Sequence, residues 1–134
     1  MRRSTLVVAA AVAALAAAPA GDTKEGAGGS VCGTDSCAHV SAFSLQLAGS
    51  YRFYRHVAPA PYFVVRIELP PNVFIPGTHE PILYLPRTGL WRVTIDGLPV
   101  WLDVPRRDAP VLREAVRNLR PFAAPRSWAA AATR

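Results

Sequence analysis

Two cysteines, three histidines and one aromatic–arginine segment are the residues whose chemistry could do more than hold a fold together. Cys32 and Cys37 are separated by Gly33-Thr34-Asp35-Ser36, all turn-formers, so the chain can double back and bring the sulfurs together. An even cysteine count in an exported chain favours a disulfide. Closing so small a ring stabilises by about 2 kcal/mol through the unfolded chain. A metal site built from Cys32, Cys37 and His39 would lack the second ligand pair that structural zinc sites use. The thioredoxin-type redox motif is two residues shorter than this spacing. A structural disulfide is the expectation, with no metal and no cofactor.

His39, His56 and His79 sit in neither H-E-x-x-H nor G-x-S-x-G contexts. His79-Glu80 is adjacent only in sequence, and an activated nucleophile needs its base close in space. A small extracytoplasmic hydrolase or redox enzyme using His39, His56 or His79 is therefore the alternative reading, not the leading one. The segment Tyr51-Arg52-Phe53-Tyr54-Arg55-His56 is more suggestive. Interleaved aromatics and arginines stack on flat groups and clamp phosphates or carboxylates. Tyr51, Arg52, Tyr54, Arg55 and His56 are accordingly the candidate anion- or partner-binding residues. The plainer alternative has Phe53 and one tyrosine packing inward while the arginines stay solvated. Arg106, Arg107, Arg113, Arg117 and Arg120 form a second basic set, either a solvated helix face or a face toward an anionic surface.

These residues follow an export signal. Met1-Arg2-Arg3 is basic, 6–18 is an unbroken apolar run, and Ala18-Pro19-Ala20 offers small residues at a cleavage site. The run is too short to span a bilayer, which takes roughly 20 residues. The sequence predicts a signal peptide over 1–20, a flexible mature N-terminus over 21–30, one domain over 31–122 and a flexible tail over 123–134. No membrane-spanning segment is expected after cleavage, and the expected location is secreted or in the cell envelope. The formal charge is +6, from 15 basic and 9 acidic residues, and Lys24 is the sole lysine. Nucleic acid is not an expected partner, because no binding motif accompanies the charge.

The elements that must position these groups read as a small α+β domain. The expected architecture is an antiparallel meander of about four strands packed by a C-terminal amphipathic helix. A short first strand is expected over 37–40. Residues 41–49 read both ways: Phe43, Leu45 and Leu47 alternate as in a strand, while Ser41 suits an N-cap and Gly49 a C-terminal stop. The reading favours a short helix there. Residues 62–69 alternate cleanly, with Phe63, Val65, Ile67 and Leu69 on one face. Strands over 82–85 and 90–95 follow. Asp96-Gly97 then selects a two-residue type I′ turn. That turn sets Ile95 opposite Leu98, Val93 opposite Val100 and Trp91 opposite Leu102, all on one apolar face. It also sets Arg92 across from Trp101, suited to a cation–π contact. Pro99 points to an edge strand. Over 108–119, Asp108 can cap a helix with Pro110 in its first turn and an apolar stripe of Val111, Leu112, Ala115, Val116 and Leu119.

The stretch Val31-Cys32-Gly33-Thr34-Asp35-Ser36-Cys37 after a signal peptide, with the later Leu83-Tyr84-Leu85-Pro86, resembles small exported proteins of high-GC Gram-positive bacteria whose mature domain opens with V-C-G-x-x-x-C. The resemblance implies compartment and fold, and no catalytic residue. The leading expectation is a non-enzymatic exported domain that binds an envelope protein or an anionic envelope polymer. A secreted protease inhibitor ranks third, since such domains brace a reactive loop with more than one small covalent ring.

Overall fold

A computed structural model describes residues 27–44, 52–75 and 77–131. The leader at 1–20, most of the segment 21–30, Leu45, Leu47, Gly49 and Tyr51 lie outside these residues. The described chain is mainly one antiparallel sheet with a single α-helix. Its strands are β1 (Ala27–Cys32), β2 (Cys37–Phe43), β3 (Phe53–Tyr54), β4 (Phe63–Ile67), β5 (Ile82–Leu85), β6 (Leu90–Ile95) and β7 (Leu98–Asp103). The helix α1 covers Ala109–Val116, and a 3-10 turn follows at Trp128–Ala130. The sheet order is β2-β1-β4-β5-β6-β7-β3. It has seven strands, not the four expected.

The strands that alternation and turn chemistry defined form as read. Asp96 and Gly97 both take positive φ, 52° and 80°, as a type I′ turn requires. The pairing runs from Ile95↔Leu98 through Arg92↔Trp101 to Leu90↔Asp103. β1 was unexpected, because Ala27 to Ser30 reads as loose chain. Its glycines are there for contact: a Cβ on Gly29 would collide with the Arg66 carbonyl of neighbouring β4. Glycine inside a strand is the signature of such close backbone approach. β2 continues through Ser41 to Phe43 rather than turning helical at Ser41. A bulge sets Ser41 and Ala42 against Gly28 alone, between the pairs Gly29↔Val40 and Ala27↔Phe43. This register break confuses a simple alternation count.

The sheet is curled. β2 and β3 are its two edges, yet only seven residues separate Ser44 from Arg52, a reach of at most about 28 Å. A flat sheet of this order would hold the edges about 29 Å apart, and Ser44 and Arg52 also lie at opposite strand ends. The curled inner face holds Val31, Val40, Phe43, Phe63, Val65, Ile82, Tyr84, Trp91, Val93 and Leu102, and Leu112 of α1 closes it. Every strand from β2 to β7 along the sheet contributes to this one cluster.

The helix follows the expected stripe but is shorter, and Asp108 takes its N-cap position without a side-chain cap. The Asp108 side chain makes no cap hydrogen bond. Instead, at 1% exposure, its carboxylate accepts from the Ser44 N–H at 2.6 Å and from the Ser44 hydroxyl at 3.0 Å. The chain leaving β7 is thereby tied to the end of β2, 64 residues away. After Val116 the helix gives way to a turn. The Arg120 carbonyl then accepts the Thr34 N–H at 2.9 Å, so α1 and the turn after it reach from the end of β2 to the β1–β2 hairpin.

The outer face carries a second core of Tyr62, Val64, Leu83, Leu85, Leu90 and Trp101. Its cover comes from Phe122, the last residue of the expected domain, and from Trp128 beyond it. Phe122 stacks on Tyr62 at 5.2 Å and Trp128 lies 4.8 Å from Trp101. Trp128 Nε1 donates to the Val57 carbonyl at 2.7 Å, and Arg92 donates to the Trp128 carbonyl at 3.2 Å. Both faces of the central strands are therefore covered.

Candidate functional site

Cys32 and Cys37 are directly paired across the β1–β2 hairpin and joined as a disulfide. Within the loop, the Gly33 N–H donates to the Ser36 carbonyl at 2.9 Å. The disulfide therefore pins a hairpin end, a structural role. Among the described residues no three histidine, cysteine, aspartate or glutamate side chains gather as a metal site would require.

The aromatic–arginine segment forms β3, the short strand on the outer side of β7. Phe53 pairs with Leu102 and Tyr54 with Trp101. Pro99 limits how far β3 can run toward His56. In a two-residue hairpin the flanking pair Ile95↔Leu98 is hydrogen-bonded, so alternation points the Pro99 nitrogen away from β6, toward the neighbour β3 would become. Proline has no N–H to offer there. β7 is therefore an edge only at its Pro99 end, a refinement of the expectation that the whole strand is one.

Tyr54 turns inward. It packs on the outer core and its hydroxyl donates to Asp103 at 3.0 Å. Phe53 does the opposite of the inward packing considered for it: it is 57% exposed. Arg52, Arg55 and His56 are exposed on either side of it. Of the candidate residues, the structure leaves Arg52, Arg55 and His56 exposed along the chain on either side of Phe53, uses Tyr54 as the anchor, and leaves Tyr51 outside the described chain. Phe53 is the residue the sequence reading passed over. Its exposure follows from the pairing of β3 with β7, which no local pattern announces.

The histidines are spread over different elements. His39 is on β2, His56 follows β3, and His79 lies in the β4–β5 loop, its ring 5.1 Å from that of Phe74. His39 lines an open groove of about 440 Å³ between β2 and α1, with Ser41, Pro110, Val111, Glu114 and Ala115. Ser, His and Glu there are residue types that nucleophilic catalysis uses. Among the described residues no hydrogen bond joins them, and Glu114 is held by Arg117 at 2.8 Å.

Arg92 stands over Trp101, 6.0 Å from the ring, as the hairpin register implied. Burial depresses the Arg92 pKa, with Tyr62 opposing the shift. This arginine serves the outer core, between Trp101 and the Trp128 carbonyl. Comparison with protein-family models, with curated proteins and with solved structures finds no match.

Proposed function

We propose that this chain is an exported, non-catalytic binding domain whose β3 edge recognises an anionic component of the cell envelope. The observation that carries this reading is the exposed Phe53 flanked by Arg52, Arg55 and His56 on a strand that Tyr54 and Asp103 hold in place. Two guanidinium groups supply charge-assisted hydrogen bonds to phosphate or carboxylate, and the phenyl ring supplies an apolar contact. Without the leader and its Arg2 and Arg3 the formal charge is still +4 (6 − 2), which favours encounter with such a polymer. Arg52→Ala combined with Arg55→Ala should abolish retention of the protein by envelope material while leaving its melting curve unchanged. Retention equal to wild type would remove the site.

The hydrolase reading draws on one observation, the shared groove of His39, Ser41 and Glu114. A serine-reactive phosphonate that labels wild type but not Ser41→Ala would favour it. No labelling at Ser41 would set it aside.

A further inference from the structure

The Cys32–Cys37 disulfide sits where the C-terminal part of the chain is fastened to the sheet. Cys37 is exposed and Cys32 half-buried. Cys32 is held from both sides, by Cys37 and by Val64 of β4, whereas Cys37 lies on the edge strand β2, paired with β1 alone. Beyond this last ladder pair the Gly33 N–H donates to the Ser36 carbonyl and closes the hairpin tip. That tip is the dock for the turn after α1. Gly33 lies against the Arg120 carbonyl with no room for a Cβ, and the Thr34 N–H donates to the same carbonyl at 2.9 Å. The Asp35–Arg120 pair at 3.5 Å is exposed on both sides and adds little. The dock is a backbone fit, so it depends on the shape of the tip.

Beyond the dock runs a strap. Phe122 exchanges backbone hydrogen bonds with Tyr62 and stacks on its ring. Trp128 then covers Trp101 and Tyr62. Between these two anchors Ala123, Ala124, Arg126 and Ser127 are exposed. We propose that the disulfide is a redox switch: its reduction by a low-molecular-weight thiol loosens the hairpin tip and releases the strap, 117–131, from the outer core. Exposed disulfides are the labile ones. A thiolate attacks the Sγ of exposed Cys37, the Cys32–Cys37 bond breaks, and Cys32 leaves as a thiolate that takes up a proton. A second thiol attacks the mixed disulfide, freeing the Cys37 thiol. The two electrons come from the two small thiols, which end as their own disulfide. With the ring open the edge-strand side of the tip frays, and the first hold on the strap goes with it. No residue of the proposed anion site takes part, so either can fail alone.

Trypsin digestion and proton exchange of the full chain, oxidised and then reduced with glutathione, test the switch. Cleavage after Arg126 should quicken about tenfold on reduction, because it follows the population of the released strap. The Thr34 amide and the Trp128 indole N–H, which is bonded to the Val57 carbonyl, should exchange faster by a similar factor. The amides of β5 and β6 should stay protected. Cys32→Ser with Cys37→Ser should match the reduced protein at every thiol concentration, and reduction of the wild type carries the test if that variant does not fold. Equal cleavage in both states, faster exchange at Thr34 but not at Trp128, a disulfide that glutathione reduces only in denaturant, or lost protection in β5 and β6 on reduction would each overturn the proposal.

Discussion

At the scale of single residues, positions that look unremarkable in sequence carry large constraints. A Cβ on Gly33 would overlap the Arg120 carbonyl that receives the Thr34 N–H. Neither backbone can yield without losing that bond, so Gly33→Ala should destabilise by about 1–3 kcal/mol, read as a lower urea midpoint. Asp108→Ala would strand the Ser44 amide and hydroxyl in a part-buried site, at a cost of about 2–3 kcal/mol. Tyr84 gives a pH signature. Burial raises its pKa above the ordinary 10.0, and Arg113 pulls it back in part. Because the folded value is raised, the contribution is fully present below pH 10 and is lost as pH rises above it. Stability should therefore fall as pH rises past 10, and less steeply in Tyr84→Phe. The Arg92–Trp101 contact was legible because a turn fixed its register. The Asp108–Ser44 contact was not, because nothing local distinguishes a carboxylate that caps its own helix from one that reaches across the fold.

At the scale of elements, legibility follows the range of the forces. The β6–β7 hairpin, β5 and the core of β4 are written in alternation and turn residues. The Cys32–Cys37 hairpin is written in spacing and turn-formers. β1 is not, since its glycines answer to the backbone of β4 and show no periodicity. The C-terminal strap was also hidden: proline and alanine composition suggests loose chain, while the outcome rests on Trp128 and Phe122 meeting an outer core that only the assembled sheet creates. Trp128→Ala should remove its packing on Trp101 and Tyr62 and its bond to Val57. The expected loss is about 2–4 kcal/mol, below that of a fully buried tryptophan because Trp128 is only half-buried. Thermal unfolding of the variant checks this. The candidate site shared the same fate. Its arginines were legible from composition, but the inward Tyr54 and outward Phe53 depended on where β3 joins β7.

At the scale of the whole molecule, a short link between opposite edges forces the sheet to curl, and α1 closes the inner face. One edge of that sheet is the short β3, flanked by exposed arginines. The basic edge is where the proposed function resides, and backbone amide mapping in solution addresses it directly. Titration of the isotope-labelled protein with an anionic envelope polymer, followed by two-dimensional nitrogen–proton spectra, should move the amides of Arg52 to His56 and of neighbouring Trp101 and Leu102. The Arg52→Ala, Arg55→Ala variant should show no such movement at the same concentrations. Saturable shifts that map elsewhere, or spectra that do not change at all, would contradict the assignment of binding to the β3 edge.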